Sequence, residues 1–391
     1  MKFNTVIVRF GGEIGIKGAW TRKTYEKLLL GNVKNTLKHH NVPYENIIYK
    51  RGRIYVKTME ASKAASTLTK VFGVSSTSPA VETISAMESI IDKSLELADE
   101  TLTNGSSFAV RCRRTGKHPY SSMDVCRIVG KQILTKFKNR NINVNLKNPD
   151  VTVNIEVRDE KAYVFKETFE GVDGFPLGSQ PKIVALLSGG MDSAVACWLV
   201  MKRGCPVIPL HFDITPFTDK RTIQKAQDVT RVLFEWAVGF PRKLYIVPHG
   251  ENLRIFQEEA PKKFTCILCK RLMYRIAERI AEKERAEGIV TGESIGEQAS
   301  QTLQNLKVLN EAIVNYPIHR SILGFNKTET EEIAKKIGVL EIATRKSMGC
   351  KAAPKKPATK AKLEVVKEVE RKLPIERMVE ESFRAARIVE I

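Results

Sequence analysis

The stretch IVALLSGGMDS, residues 183–193, decides the reading of this chain. Ile183 to Leu187 is a continuous apolar run, the pattern of a strand buried on both faces. It passes directly into Ser188–Gly189–Gly190–Met191–Asp192–Ser193 and then into a helical stretch over Ala194 to Lys202. Gly189 and Gly190 let the backbone turn tightly and approach a ligand. Backbone N–H groups and the following helix N-terminus then face one concavity that attracts an anion. Ser188 and Ser193 add hydroxyls. Asp192 is unexpected in an anion site, and either holds Mg²⁺ or caps the helix. The loop lacks the Gly-Lys-Ser ending of P-loop NTPases. It predicts a cradle for pyrophosphate, and hence cleavage of ATP between the α and β phosphates. The plainer reading is a strand–helix turn with an Asp cap.

Downstream, a strand over Val207 to Asp213, a helix, and a strand over Leu244 to Pro248 continue the alternation. Such alternation predicts a doubly wound parallel sheet, with ligands beyond the carboxyl ends of its strands. His211 and Phe212 fall at such an end, where backbone can read an adenine edge. The stretch TGESIGEQASQTLQNL, Thr291 to Leu306, is a polar, amide-rich loop after a second strand end at Ile289–Val290. Upstream, EGVDGFPLGSQ, Glu170 to Gln180, reads as a linker by its Gly and Pro content.

Before that linker the pattern differs. A strand over Thr5 to Phe10, a helix over about Thr21 to His40, a hairpin turning at Arg51 and Gly52, and a helix over about Ala61 to Val71 suit a ferredoxin-like α+β unit ending near Ala80. Helices over about Ala86 to Leu102 and Ser122 to Phe137 then alternate with strands over Ser107 to Arg113, Thr152 to Val157 and Ala162 to Thr168. The expected domains are 1–80, 81–170 and 178–391: a multidomain α/β and α+β chain.

With 391 residues the chain exceeds one ordinary core, and it has no apolar run of 18 or more residues to span a membrane. MKFNTVIVRFGGE reads as a first strand and not as a signal peptide, so the expected location is the cytoplasm. A net charge of +20 favours polyanionic partners, nucleic acid above all. The seven cysteines are an odd number, which argues against a disulfide framework there, and Cys126 and Cys197 read as packing residues.

SGGMDS, the preceding GFPLG, CKRLMYRIA, TGESIGEQASQT and YPIHRSILGFNKTE together resemble the tRNA 4-thiouridine synthetases, the ThiI family, over nearly the whole chain. FAVRCRRTGKHPYSS resembles a THUMP domain, an RNA-binding module. The resemblance implies that a tRNA uridine at position eight attacks ATP through O4, and that sulfur then displaces AMP to leave 4-thiouridine. It places nucleotide contacts on Leu186, Leu187, His211, Phe212, Lys270, Gly292 and Gln301, around the loop Ser188, Gly189, Gly190, Asp192 and Ser193. Lys270 can offset phosphate charge and Gln301 can pair with base or ribose; for Lys270 and Arg271 the plainer reading is helix-surface charge. Some family members also serve thiamine biosynthesis. Here the loop continues DSAVA where the family has DSPVA or DSGV. No rhodanese domain follows, which leaves the sulfur source open.

Cys266 and Cys269 form a C-x-x-C just before the helical stretch KRLMYRIAERI, and Cys350 aligns with the family's catalytic cysteine. Three thiols can hold an iron–sulfur cluster with one iron open to sulfide. A redox pair that delivers persulfide through Cys350, a zinc site, and buried packing residues are the alternatives. From Arg111 to Arg140 there are nine Lys or Arg and one acid, Asp124. Arg111, Arg113, Arg114, Lys117, Lys131, Lys136, Lys138 and Arg140 suit contacts to RNA phosphates, and His118 and Tyr120 suit stacking on an unpaired base. The last 41 residues open with KAAPKKPATKAK and read either as a solvated extension or as an RNA contact. Expected partners are tRNA and a sulfide or persulfide donor; a homodimer is left open. Rival functions are a 2-thiolating tRNA enzyme, an amide ligase, or a non-catalytic RNA-binding protein.

Overall fold

A computed structural model describes residues 2–50 and 52–391. Arg51, half of the expected hairpin turn, lies outside the described residues. The chain divides into two compact units, one ending at Pro176 and one from Leu177 to Ile391.

The first unit is built on nine strands: β1 (Thr5–Phe10), β2 (Asn46–Lys50), β3 (Arg53–Lys57), β4 (Val74–Ile84), β5 (Ser107–Thr115), β6 (Asn143–Val144), β7 (Val151–Arg158), β8 (Lys161–Phe165) and β9 (Phe169–Glu170). They form one sheet in the order β2-β3-β1-β4-β8-β7-β5-β6, with β9 beside β4. Strand β4 joins its two halves. Ala80 pairs with β1, and the next residue, Val81, pairs with β8. Helices Ala19–His39 and Ala61–Leu68 close a core of Val6, Leu29, Val33 and Ile54 over one half. Helices Met87–Thr101 and Ser122–Lys136 bury Ile90, Leu97, Val129 and Ile133 over the other. The second of these starts at a reciprocal cap, in which Ser121 and Asp124 bond each other's backbone N–H.

The expected linker contains the boundary between the two units, at Pro176 and Leu177, but its first part is packed and not loose. Gly171 N–H donates to the Ser75 carbonyl (2.9 Å), Asp173 N–H to the Val74 carbonyl (2.8 Å), and Val172 and Phe175 are buried. A Cβ on Gly171 would stand 2.2 Å from the Val74 oxygen, so glycine serves close packing here and not looseness.

The second unit carries β10 (Ile183–Leu186), β11 (Val207–Asp213), β12 (Lys243–Pro248), β13 (Ile289–Val290), β14 (Ile318–His319) and β15 (Arg387–Glu390). Their order is β14-β13-β10-β11-β12-β15, parallel except for β15. The doubly wound expectation therefore holds, with an antiparallel edge strand added by the C-terminus. That corrects the solvated-extension reading of the last 41 residues. Val366, Leu373, Ile375, Met378 and Val379 are buried in the same core as Leu272 and Ile276. Glu370 makes a two-pronged bond to Arg271, itself only 1% exposed, at 2.8 Å on each prong. The surface reading of Arg271 is thus also overturned. No helix among the described residues is long and apolar enough to cross a membrane.

Candidate active site at the carboxyl edge of the second sheet

Each parallel strand of the second unit delivers its polar residues just beyond its last residue, where successive backbone groups have left the ladder and can face a ligand. After β10 comes Ser188. The helix begins at Met191 and not at Ala194, with Gly190 as its cap and no side-chain cap. Asp192 therefore sits in the first turn and does not cap it. The loop holds itself: Ser193 Oγ accepts from Ser188 N–H (3.2 Å) and donates to the Gly190 carbonyl (3.0 Å), and Ser188 Oγ accepts from Gly190 N–H (3.2 Å). Gly189 has φ +84, the left-handed region that only glycine enters freely, and a Cβ there would press on Ala226 N at 3.0 Å. Burial raises the Asp192 carboxyl, Glu297 adds to this and Lys327 opposes it.

Beside the loop lies a pocket of about 210 Å³ with Leu186, Leu187, His211 and Phe212 in its walls. His211 is 4% exposed and donates from Nδ1 to the Leu187 carbonyl at 2.9 Å. That leaves Nε2 as a buried acceptor with no partner among the described residues, and desolvation lowers the basicity of the ring. An exocyclic amine entering the pocket would satisfy it. Ile214, Thr218, Thr222 and Met273 complete the pocket and are residues the sequence reading missed.

After β13 the chain reaches Gly292. A Cβ there would stand 2.4 Å from Ser193 N, so the loop after β13 touches the start of the phosphate-loop helix backbone to backbone. Next is Glu293, 4% exposed. It accepts from Lys270 Nζ (2.9 Å), Tyr274 OH (2.6 Å) and Arg320 Nε (2.7 Å). Burial alone would raise this carboxyl, but Lys270 and Arg320 hold it down at about 2. Lys270 is thus fixed in place and is not loose surface charge. Gln301 is buried with Oε1 unpartnered among the described residues.

Cys266 and Cys269 lie inside the first turns of helix Thr265–Glu284, not before it, and so share one face. Cys350 is exposed, in a segment tied down by Lys351 N–H to the Phe217 carbonyl (2.8 Å) and Thr218 Oγ1 to the Met348 carbonyl (2.7 Å). Burial pushes both helical thiols up, and Cys350 adds to the shift of each, so Cys350 lies within electrostatic reach of the pair, although among the described residues the three sulfurs are not all within 4.8 Å of one another. Met273, one turn beyond Cys269, is already a wall of the pocket. After β12 comes His249, fully buried, with Nε2 3.3 Å from Cys269 Sγ. Sequence reading missed it; its place directly after a strand was the available signal.

In the first unit, Arg111, Arg113, Lys117, Lys131, Lys136 and Lys138 are exposed along β5, the loop after it, and the helix Ser122–Lys136 with its end. Arg111 and Arg113 join Arg9 around a concavity of about 330 Å³ whose wall includes the buried Glu156. Others of the expected set are tethered. Arg140 bonds the Asp99 and Leu102 carbonyls, each at 3.0 Å. His118 bonds the Asp159 carbonyl at 2.6 Å and faces Arg114 at 3.3 Å, and its ring stacks on Tyr120.

Residues 178–375 match the family described as thiamine biosynthesis protein (ThiI), residues 85–167 the THUMP domain, and residues 5–78 the ThiI ferredoxin-like domain. The chain is 41% identical over 392 aligned positions to a "probable tRNA sulfurtransferase" of Methanosarcina mazei, covering 99% of this chain and 96% of that one. The chain belongs to the ThiI family. A Methanosarcina acetivorans protein of the same description is 40% identical, covering 99% of this chain and 94% of that one. A crystal structure of a 4-thiouridine synthetase–RNA complex with bound ATP superposes with a TM-score of 0.89 at 33% identity, over 100% of both chains. The resemblance stated from SGGMDS, TGESIGEQASQT and FAVRCRRTGKHPYSS is therefore borne out, as is the three-part fold of ferredoxin-like, THUMP and parallel-sheet regions.

Proposed function

We propose that this ThiI-family chain is a tRNA sulfurtransferase that adenylates a tRNA uridine, at position eight, on O4 and then replaces that oxygen with sulfur. The observation that carries the reading is a juxtaposition. The phosphate loop, the apolar pocket with the His211 acceptor, and the thiol of Cys269 against His249 occupy one carboxyl edge of one sheet. Domains 1–80 and 81–170 bind the tRNA through the exposed Arg and Lys of the β5 region, and domain 178–391 does the chemistry.

In the first step uridine O4 attacks the α-phosphorus as N3 gives up its proton. The bond to pyrophosphate breaks. The loop N–H groups and the helix N-terminus at Met191 receive the leaving charge; Asp192 would hold Mg²⁺, which when bound would add charge neutralisation there. Gln301 and His211 hold the nucleoside. Lys270, oriented by Glu293, faces the phosphates. In the second step sulfur adds at C4 and the C–O bond to AMP breaks. Cys266, Cys269 and Cys350 have the donor chemistry for an iron–sulfur cluster, which when bound would supply iron to take up sulfide. In the other route the outer sulfur of a Cys350 persulfide, received from a persulfide donor, attacks C4 as AMP leaves, and the thiol of Cys266 or Cys269 then forms a disulfide with Cys350 and frees the sulfur on the base.

Anaerobic incubation of the reconstituted protein with tRNA, Mg-ATP and sulfide should yield 4-thiouridine by nucleoside mass spectrometry; a 2-thiouridine product, or none, sinks the proposal. Cys266→Ala should lose iron and thiolation while tRNA-dependent pyrophosphate release persists. Retained iron would refute the ligand assignment.

A further inference from the structure

The three thiols are not equivalent. Cys350 is exposed, whereas Cys269 stands against a side chain with no exposed surface, His249. That imidazole is held on every side. Its ring lies edge-on to Phe212 at 5.3 Å and 69°. Its own backbone N–H donates to the Asp213 carbonyl at 2.7 Å, pinning the end of β12 to the end of β11. Its Nδ1 meets Asn252 Nδ2 at 3.1 Å, and the same amide nitrogen donates to Ser382 Oγ at 2.8 Å. An amide NH₂ is a donor only, so the Nδ1 it faces is the acceptor nitrogen of a neutral ring. The ring proton must then sit on Nε2, which faces Cys269 Sγ at 3.3 Å.

We infer that His249 is a positioning residue for the sulfur chemistry: its Nε2–H donates to Cys269 Sγ, and Asn252 fixes the tautomer that makes this so. The inference rests on the reading of the three thiols as the sulfur-handling centre. A neutral donor suits a sulfur that burial holds as a thiol until a metal takes the place of its proton. It stabilises the negative sulfur without bringing a second charge into the core, and a hydrogen bond to a metal-bound thiolate draws electron density off it and raises the reduction potential. The chain Ser382–Asn252–His249–Cys269 also gives the C-terminal helix Ile375–Arg384 a reason to be part of this unit: its Ser382 anchors the amide that sets the proton's place.

The test uses the full chain labelled with ¹⁵N-histidine, which has only six histidines to assign. In the reduced, metal-free protein His249 should show a proton on Nε2 and none on Nδ1. That resonance should move in Cys269→Ser and not in Cys126→Ser. Asn252→Asp offers only acceptors to Nδ1 and should transfer the proton to Nδ1. A proton on Nδ1 in the unaltered chain, or an Nε2–H signal indifferent to Cys269→Ser, overturns the inference. In iron-loaded protein, His249→Leu should lower the reduction potential, and His249→Gln, which restores a donor near the Nε2 position, should recover most of the shift. Equal potentials in all three overturn the electronic role. If the unaltered chain binds no iron, the cluster reading fails, yet the tautomer measurement still decides whether His249 donates to Cys269.

Discussion

The surface cations of the first unit and the site charges of the second are held in opposite ways, although the first unit also buries an ion cluster of its own, Glu156 with Arg9, Arg53 and Arg158. In the first, the cations of the β5 region stand exposed and mostly unpaired by acid, and they are spread over a strand, a loop and a helix. In the second, the charges near the phosphate loop are buried and neutralised in place: Lys270 and Arg320 on Glu293, Arg271 on Glu370. A polyanion with many phosphates is bound well by many weak, interchangeable contacts. A single reaction centre needs a few groups held within fractions of an ångström. Single substitutions should therefore cost orders of magnitude in the second unit and small factors in the first.

The largest effect should come from Asp192→Ala. With its proposed cation lost, tRNA-dependent pyrophosphate release should fall by about 10²–10³-fold. Activity within a few-fold of the starting chain would remove the metal role. Gly292→Ala comes next. Its new Cβ would meet Ser193 N at 2.4 Å, backbone against backbone, so the helix start must move. We expect roughly 10²-fold lower adenylation, since a displacement of about 1 Å costs this much. Measured stability should fall by only about 1–3 kcal/mol. A large loss of folding with unchanged kcat would place the importance of Gly292 in packing alone.

Glu293→Gln tests the buried charge itself. The carboxyl sits at about 2 in the folded chain, against an ordinary value of 4.5. A depressed carboxyl contributes stability that is present above the unfolded value and is lost as pH falls through 4.5 toward 2. The linkage is on the order of 3 kcal/mol. Removing the charge also strands Lys270 and Arg320, a loss of about 3–5 kcal/mol at neutral pH. Denaturant unfolding should show a wide gap between the two chains at pH 7 that narrows near pH 3. A gap independent of pH would mean that the hydrogen bonds, and not the charge, hold the cluster.

What could be read before folding was what is local. Ile183 to Leu187 followed by SGGMDS is strand, turn and helix within a dozen residues, and the alternation after it fixes a parallel sheet. The sequence places the start of the helix three residues late, because Met191, Asp192 and Ser193 read as loop and the Gly190 cap carries no side-chain signal. What could not be read was non-local. Glu293 meets Arg320 from 27 residues away and Arg271 meets Glu370 from 99. Composition also misled. Glycine that permits close packing looks the same as glycine in a loose linker, as at Gly171. In the C-terminal helices, dense charge on the outer face hid the apolar stripe of Val366, Met378 and Val379.

The smallest effect, and the sharpest test of the comparison, is expected in the first unit. Arg113 is exposed on β5 and lines the concavity that also holds Arg111. As one phosphate contact among several, its replacement by Ala should weaken tRNA binding only a few-fold. It should also reduce the slope of log affinity against log salt by about 0.7–0.9, the counterions released by one contact. Arg140 is the control, because its guanidinium is already occupied by the Asp99 and Leu102 carbonyls. Arg140→Ala should lower stability by about 0.5–1.5 kcal/mol, since water can replace it at these partly exposed acceptors, and leave the salt slope unchanged. If Arg140→Ala changes the slope and Arg113→Ala does not, the RNA lies across the helix end and not along β5. If Arg113→Ala alone abolishes binding, the first unit also concentrates its function in one place, and the contrast between the two units falls.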